Sequence, residues 1–346
     1  MTGTAEVTAE SAAPSLYRRR AVGLIIILAT LALVCIPALA VGSNPISLGE
    51  AWQGLRVRDD SVASLIVWDV RIPRLLLAMM AGAAFGVSGA LIQALTRNPL
   101  ADPGILGVNS GAGFAVTLGV AFFGVTTVSG YVWFAFIGAA VTTIVVYLIG
   151  SAAGSSASPI TLVLAGVALA AVLLGITQLL TLMDPETFRA VRAWGLGSVA
   201  RTSSAEMLAI LPFIVTGLVL AIALSGSLNS IALGDDLAAS LGTNVLRTRV
   251  FGIIAVTILA GGATALTGGI AFVGLMVPHI VRWFVGPDQR WIMAYSILAA
   301  PVLVVVADVL GRIAGGAGEI QVGLVTPLIG GPLLIALVRR RKASGL

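Results

Sequence analysis

The chain is 346 residues long, 58% hydrophobic and only 10% charged, with a mean hydropathy of +1.06. No ordinary soluble domain has that balance, which points to an integral membrane protein. The net charge of +5 is modest and the basic residues gather at segment ends, which argues against nucleic acid as a partner, while the single Cys35 excludes a disulfide framework or a thiolate metal site.

Residues 1–20 are polar, lack periodicity and end in Arg18-Arg19-Arg20, so they read as a disordered tail. Ala21 to Val41 is charge-free and gives the first membrane helix, being too long, behind too extended a tail, for a signal peptide. Residues 44–70 carry Arg56, Arg58, Asp59, Asp60 and Asp69 and form an external segment with room for a short surface helix. The stretch from Arg71 to Gly113 organises the rest. Arg71 and Arg74 stand three apart at its start, and Leu75 to Thr96 then runs 22 residues without a charge, enough to cross a hydrocarbon core of about 30 Å. Ala78, Gly82, Gly86, Gly89 and Gln93 fall on one helical face, suited to close helix packing or to lining a pathway. Asn98-Pro99-Leu100-Ala101-Asp102-Pro103-Gly104 ends that helix in a rigid polar turn.

Pro103 to Met183 holds 81 residues without Asp, Glu, Lys or Arg. Turn-forming breaks divide it into helices near 105–123, 131–150 and 160–183. Residues 184–201 form a polar connection containing Trp194-Gly195-Leu196-Gly197-Ser198, and a helix near 207–228 follows. The short, helix-prone Leu233 to Asn244 precedes spans near 246–265, 270–286, 291–311 and 320–338 and the basic end Arg339-Arg340-Arg341-Lys342. The reading is an all-α, polytopic protein with ten transmembrane helices.

An even number puts both termini on one side, and the densest basic clusters sit at both ends, so that side is cytoplasmic. Twelve Lys and Arg then lie at inner ends and eight at outer ends, Arg189, Arg192 and Arg201 among the outer ones. Arg71 and Arg74 become external, and residues 98–104 and 233–244 cytoplasmic. A phosphate-binding P-loop needs a lysine after its glycines, and the one lysine here is Lys342, preceded by arginines. An ion-coupled transporter keeps carboxylates or histidine within its spans, whereas these spans offer Gln93, Gln178 and hydroxyls, with Asp308 and His279 near opposite ends. The energy source therefore lies in a partner.

The Arg71–Gly113 stretch, Trp194-Gly195-Leu196-Gly197-Ser198, LGDDLAASLG at 233–242, GGIAFVGLMVPHIVR at 268–282 and the ADVLGR and VGLVTPLIGGP segments near the end occur in one order along the chain. In these motifs it resembles the FecCD family, the membrane subunits of ABC importers for iron-siderophore, haem and cobalamin. The resemblance implies a permease domain over 21–342, a second permease subunit (an identical copy or a homologue), two cytoplasmic ATP-binding subunits and an external substrate-binding protein. It also implies a multi-pass place in a bacterial cytoplasmic membrane, with no catalytic residue and no cofactor in this chain.

Within that resemblance Leu233 to Gly242 matches the segment that couples to the ATPase. Gly234 and Gly242 bracket it, Asp235 and Asp236 favour the start of a helix, and Ala238, Ala239 and Leu241 offer a small apolar face. Read without the family, it is a capped surface loop. Arg71, Arg74 and Arg312 match external arginines that meet acids on the binding protein; otherwise they snorkel or pair with Asp69 and Asp308. His279, beside Pro278, lacks a second ligand nearby and is structural, so no metal site is expected. Asn98, Pro99, Asp102 and Pro103 form a connector. The reading is a permease that moves a metal chelate, foremost a ferric siderophore, by alternating access. An ion-coupled transporter acting without an ATPase, and a membrane anchor without transport, are the alternatives.

Overall fold

The computed structural model describes residues 12–42, 46–152, 159–200 and 202–341. The first eleven residues of the expected tail, Arg201 and Lys342 lie outside them. The described residues form helices and no strand. Among the described residues seven helices are long and apolar enough to cross a membrane, and three shorter apolar helices accompany them.

The first long helix, α1 (Ala12–Ala40), starts inside the stretch expected to be a tail. Its early turns are held by the rest of the chain: Arg20 Nη2 donates to the carbonyl of Val285 at 2.6 Å, and the Tyr295 hydroxyl donates to the carbonyl of Arg20 at 2.5 Å. Next come α2 (Leu48–Arg56), which Ser47 and Glu50 start with a capping box, and α3 (Val62–Leu65). A π-helical turn over Ile66–Arg71 leads without a break into α4 (Ile72–Thr96).

Small residues let α4 take the centre. It is buried over 78% of its most apolar window, against 11% for α1 and 17% for α7 (Pro159–Met183). The difference separates a core helix from peripheral ones whose apolar side chains face outward. A 3₁₀ turn, Pro103–Leu106, connects α4 to α5 (Val108–Phe123) and α6 (Val128–Ala152).

The expected polar connection after α7 contains an eleven-residue helix, α8 (Pro185–Gly195). Asp184 caps it by accepting from the N–H groups of Glu186 and Thr187, and Pro185 fits the first turn. Bonds from Thr187 hold the Asp184 carboxyl below its ordinary range. The chain continues through α9 (Ser204–Ile231), α10 (Asp235–Ser240) and α11 (Val245–Thr267).

The span expected over 270–286 is not one continuous helix. Residues 268–272 form no helix, Phe272 takes a φ of 70°, and α12 covers Val273–Val285. Thirteen residues of helix reach about 20 Å, short of a hydrocarbon core. Then follow α13 (Gln289–Gly315), a 3₁₀ turn at Gly316–Gly318, and α14 (Val322–Arg341). The backbone bond from Ile320 N to the carbonyl of Gly311 at 2.9 Å turns α14 back along α13.

Candidate functional site

Candidate residues collect at the two ends of α4. At its start, the Arg74 guanidinium reaches Asp308 on α13, with Nε and Nη2 donating to Oδ1 at 3.0 and 2.8 Å. Its Nη1 donates to Glu319 at 2.7 Å. Arg312, one turn beyond Asp308, pairs with that carboxylate at 2.8 Å and also donates to the carbonyls of Ala38 and Val41 at 3.0 and 2.6 Å. Arg71 lies against Gly42, where an added Cβ would overlap its guanidinium. Arg71 and Arg312 are only 5% and 4% exposed. The three arginines thus share one place, turned into the protein, where they join α1, α4, α13 and the 316–319 turn. Asp308 is the partner weighed from the sequence; Asp69 instead stands 4.0 Å from Arg58, both exposed. Glu319 was missed. Its signal was a lone acid beside Gly315, Gly316 and Gly318 at an outer end, facing an excess of arginine.

The small-residue face of α4 is a packing surface. A Cβ on Gly82 would come within 2.7 Å of the Pro301 backbone, and one on Gly86 within 2.5 Å of Ala300 Cβ. On Gly89 it would overlap the carbonyl of Gly274 on α12. The buried Gln93 closes the face: its Nε2 donates to the Leu275 carbonyl at 3.0 Å and to those of Ala101 and Gly274 at 3.4 Å. Helices α12 and α13 therefore occupy the face that could have lined a pathway.

At the other end of α4, Arg97 ends the helix in a left-handed conformation and the turn follows. Asn98 Oδ1 accepts from Leu100 N, and Asp102 Oδ1 accepts from Gly104 N at 2.8 Å, with Pro103 opening the 3₁₀ turn. Burial pushes the Asp102 carboxyl above its ordinary range, and the Gly104 N–H offsets part of this. His279 is buried within α12, its ring tilted against that of Trp283 with centroids 5.7 Å apart. Among the described residues no group of three or more His, Cys, Asp or Glu could hold a metal.

Arg97 also pairs with Asp235 of α10, and Arg249 of α11 reaches the same carboxylate at 2.7 Å. Gly234 precedes α10 with a φ of 113° and Gly242 follows it with a φ of 81°, so a short helix stands between two left-handed corners. Of the apolar face expected here, Ala238 is wholly buried against the chain's own helices, because its position points to α9 and α11. Ala239 and Leu241 are exposed, together with Leu233, Leu237 and Asp236. The outcome is an apolar knob fixed by two ion pairs. Beside it lies a cleft of about 410 Å³ lined by Tyr147, Asp235, Ala239 and Arg249 among others.

Trp194-Gly195-Leu196-Gly197-Ser198 carried no role in the sequence reading beyond its place among the family motifs. In the fold it meets two other glycine motifs: Ser198 N donates to the Thr267 carbonyl at 2.6 Å and Gly323 N to the Gly197 carbonyl at 3.0 Å. Backbones cross there so closely that a Cβ on Gly197 would approach the Gly269 carbonyl to 2.5 Å.

The profile of the FecCD transport family matches residues 27–340, nearly the whole chain. The chain belongs to the FecCD transport family. Among relatives in it, the ferric enterobactin transport system permease protein FepD of Escherichia coli (strain K12) is 43% identical over 346 residues, all of each chain. The hemin transport system permease protein HmuU of Yersinia pestis is 34% identical over 318 residues, 90% of this chain and 94% of its own. A solved structure described as an inward-facing conformation of a metal-chelate type ABC transporter superposes with a TM-score of 0.81 at 27% identity. It spans 92% of this chain and 98% of its own. As a FecCD protein the chain is a multi-pass transport permease and not an enzyme.

Proposed function

We propose that this chain is the membrane subunit of a binding-protein-dependent ABC importer that carries a ferric siderophore inward. The observation that carries this is the fixed apolar knob at α10. Leu233, Leu237 and Leu241 are exposed at one end of the bundle while Asp235 is gripped by Arg97 and Arg249. Water-exposed leucines on a rigid mount suit a partner's cleft. Cargo class is supported by the full-length likeness to FepD, a ferric enterobactin permease. Ten helices cross the membrane, the seven long ones and the three short apolar ones, with α10 and both termini in the cytoplasm of a bacterial cell. Two copies, or this chain and a homologue, enclose the pathway, and two ATP-binding subunits move them between outward- and inward-open states. No cofactor resides in this chain.

An external binding protein docks at the opposite end, around Arg71, Arg74 and Arg312. The cluster pairs Arg74 with Asp308 and Glu319 and Arg312 with Asp308, and an incoming carboxylate would compete with Glu319, the more exposed of the two acids, for Arg74. Affinity should fall as salt rises. Reversing the partner's acids to lysine should abolish docking.

Purifying the tagged chain in mild detergent from cells that take up ferric siderophore tests the proposal. An ATP-binding subunit is expected with it in equal amount. A preparation that restores uptake in vesicles without any ATP-binding subunit would overturn it.

A further inference from the structure

We propose that the chain holds an anionic phospholipid in a groove between α1, α12 and α13, its phosphate on Arg18 and Arg19; this rests on the membrane orientation proposed above. The groove has a volume of about 710 Å³. Its apolar wall is Val22, Ile26 and Ile27 of α1, Ile280 and Phe284 of α12, and Ala299 of α13. Arg18 and Arg19 sit at one end of it, both exposed, and among the described residues no carboxylate pairs with either.

Their neighbour shows what an arginine does here when the chain itself supplies an acceptor. Arg20 donates to the Val285 carbonyl and lies over the Trp291 ring at 5.5 Å. Arg18 and Arg19 keep their donors, and the groove below them is apolar. That combination suits a molecule with an anionic head and a hydrocarbon tail, and a guanidinium pair matches a phosphate diester in both charge and hydrogen bonding.

Aromatic residues mark the depth. Tyr17 packs edge-on against Trp291 at 5.9 Å, and Trp283 is 43% exposed at the same end of α12. Such rings settle at the headgroup level of a bilayer, where basic pockets between helices on the cytoplasmic side take anionic headgroups. The occupant is therefore a lipid of the inner leaflet, held between helix ends that also carry the amino terminus.

The test is native mass spectrometry of the full-length chain, delipidated in detergent and titrated with phosphatidylglycerol or phosphatidylcholine. Wild type should retain phosphatidylglycerol in preference. Arg18→Ala with Arg19→Ala should weaken it roughly 30-fold, the product of about fivefold per basic residue. Ala299→Phe fills the groove while keeping both arginines, and should also lower retention. Equal binding of the two lipids by wild type, or full phosphatidylglycerol binding by either variant, would overturn the site. Labelling of an Arg18→Cys chain by a membrane-impermeant thiol reagent from outside intact cells would instead sink the orientation on which the site depends.

Discussion

Three glycines on α4 differ in what an added methyl would strike, and this grades the expected cost. At Gly82 a Cβ would stand 2.7 Å from backbone atoms of Pro301, and at Gly86 2.5 Å from Ala300 Cβ and 2.9 Å from the Ser296 carbonyl. At Gly89 it would overlap the Gly274 carbonyl, so only a shift of α12 as a body could relieve it. Real Cβ atoms essentially never come closer than 3.0 Å to such neighbours. Overpacking costs about 1–3 kcal/mol, and Gly89→Ala belongs at the upper end because the obstacle is backbone. Alanine returns about 0.5–1 kcal/mol of helix propensity, leaving a net loss of roughly 2 kcal/mol. Gly175 on α7 has nothing within 4 Å, so Gly175→Ala is the control that keeps the propensity gain alone. Thermal melting in detergent, followed by size-exclusion fluorescence, reads the order: Gly175→Ala at or above wild type, Gly82→Ala below it, Gly89→Ala lowest. If Gly89→Ala melts with wild type, α4 and α12 are not in contact there and the packing account of this face fails.

Ala239→Arg adds a bulky charge to the exposed side of α10 without touching Ala238; it should release the ATP-binding subunit in pull-downs while leaving the melting temperature unchanged. Arg74→Ala removes the ion pair to Glu319 and leaves Asp308 paired with Arg312; breaking a buried pair costs about 3–5 kcal/mol, at the low end here, and wild-type melting would show that the cluster contributes nothing to stability. Asp102→Asn keeps an acceptor for the Gly104 N–H and removes a carboxyl whose pKa burial has raised. A raised folded-state pKa means that ionisation opposes folding, so Asn should match or exceed wild type in stability at pH 7, with the gain vanishing as pH falls toward the ordinary carboxylate range. A gain that grew on acidification would contradict the burial of Asp102.

Local signals carried much of the architecture. The charge-free run ending at Thr96, the two prolines around Asp102 and the glycines bracketing residues 235–240 each fix a short stretch by themselves, and the structure places helix, turn and helix accordingly. What failed depended on partners distant in sequence. Asp308 was weighed as a partner of the arginines, but Arg74 also meets Glu319 across 245 positions, and no periodicity near Arg74 announces it. Arg20 draws a supposed tail into helix through a carbonyl 265 residues away. Ala238 and Ala239 look alike in sequence, yet the direction of one helical turn against α9 and α11 buries the first and exposes the second. The apolar run 270–286 hid a break at Phe272, whose left-handed backbone sets its side chain where a Cβ on the distant Gly330 would come within 2.9 Å.

The π turn at Ile66–Arg71 has a consequence for how this chain can vary. It lets 35 residues, Val62–Thr96, run as one helix with one residue more than regular winding needs; Ile72 N donates back to the Val67 carbonyl, five positions away. Upstream, Trp68 Nε1 donates to the Gly54 carbonyl at 2.9 Å and fastens the small α2–α3 cap. Downstream, Arg74 faces Asp308. Deleting one residue within this turn would restore regular winding with the cap still facing the bundle as before, whereas the same deletion in the regular helix of α4 would turn the cap by about 100°. The loss of a single codon at this point is thus absorbed within one turn, so the outer cap and the membrane helices both keep their bearing.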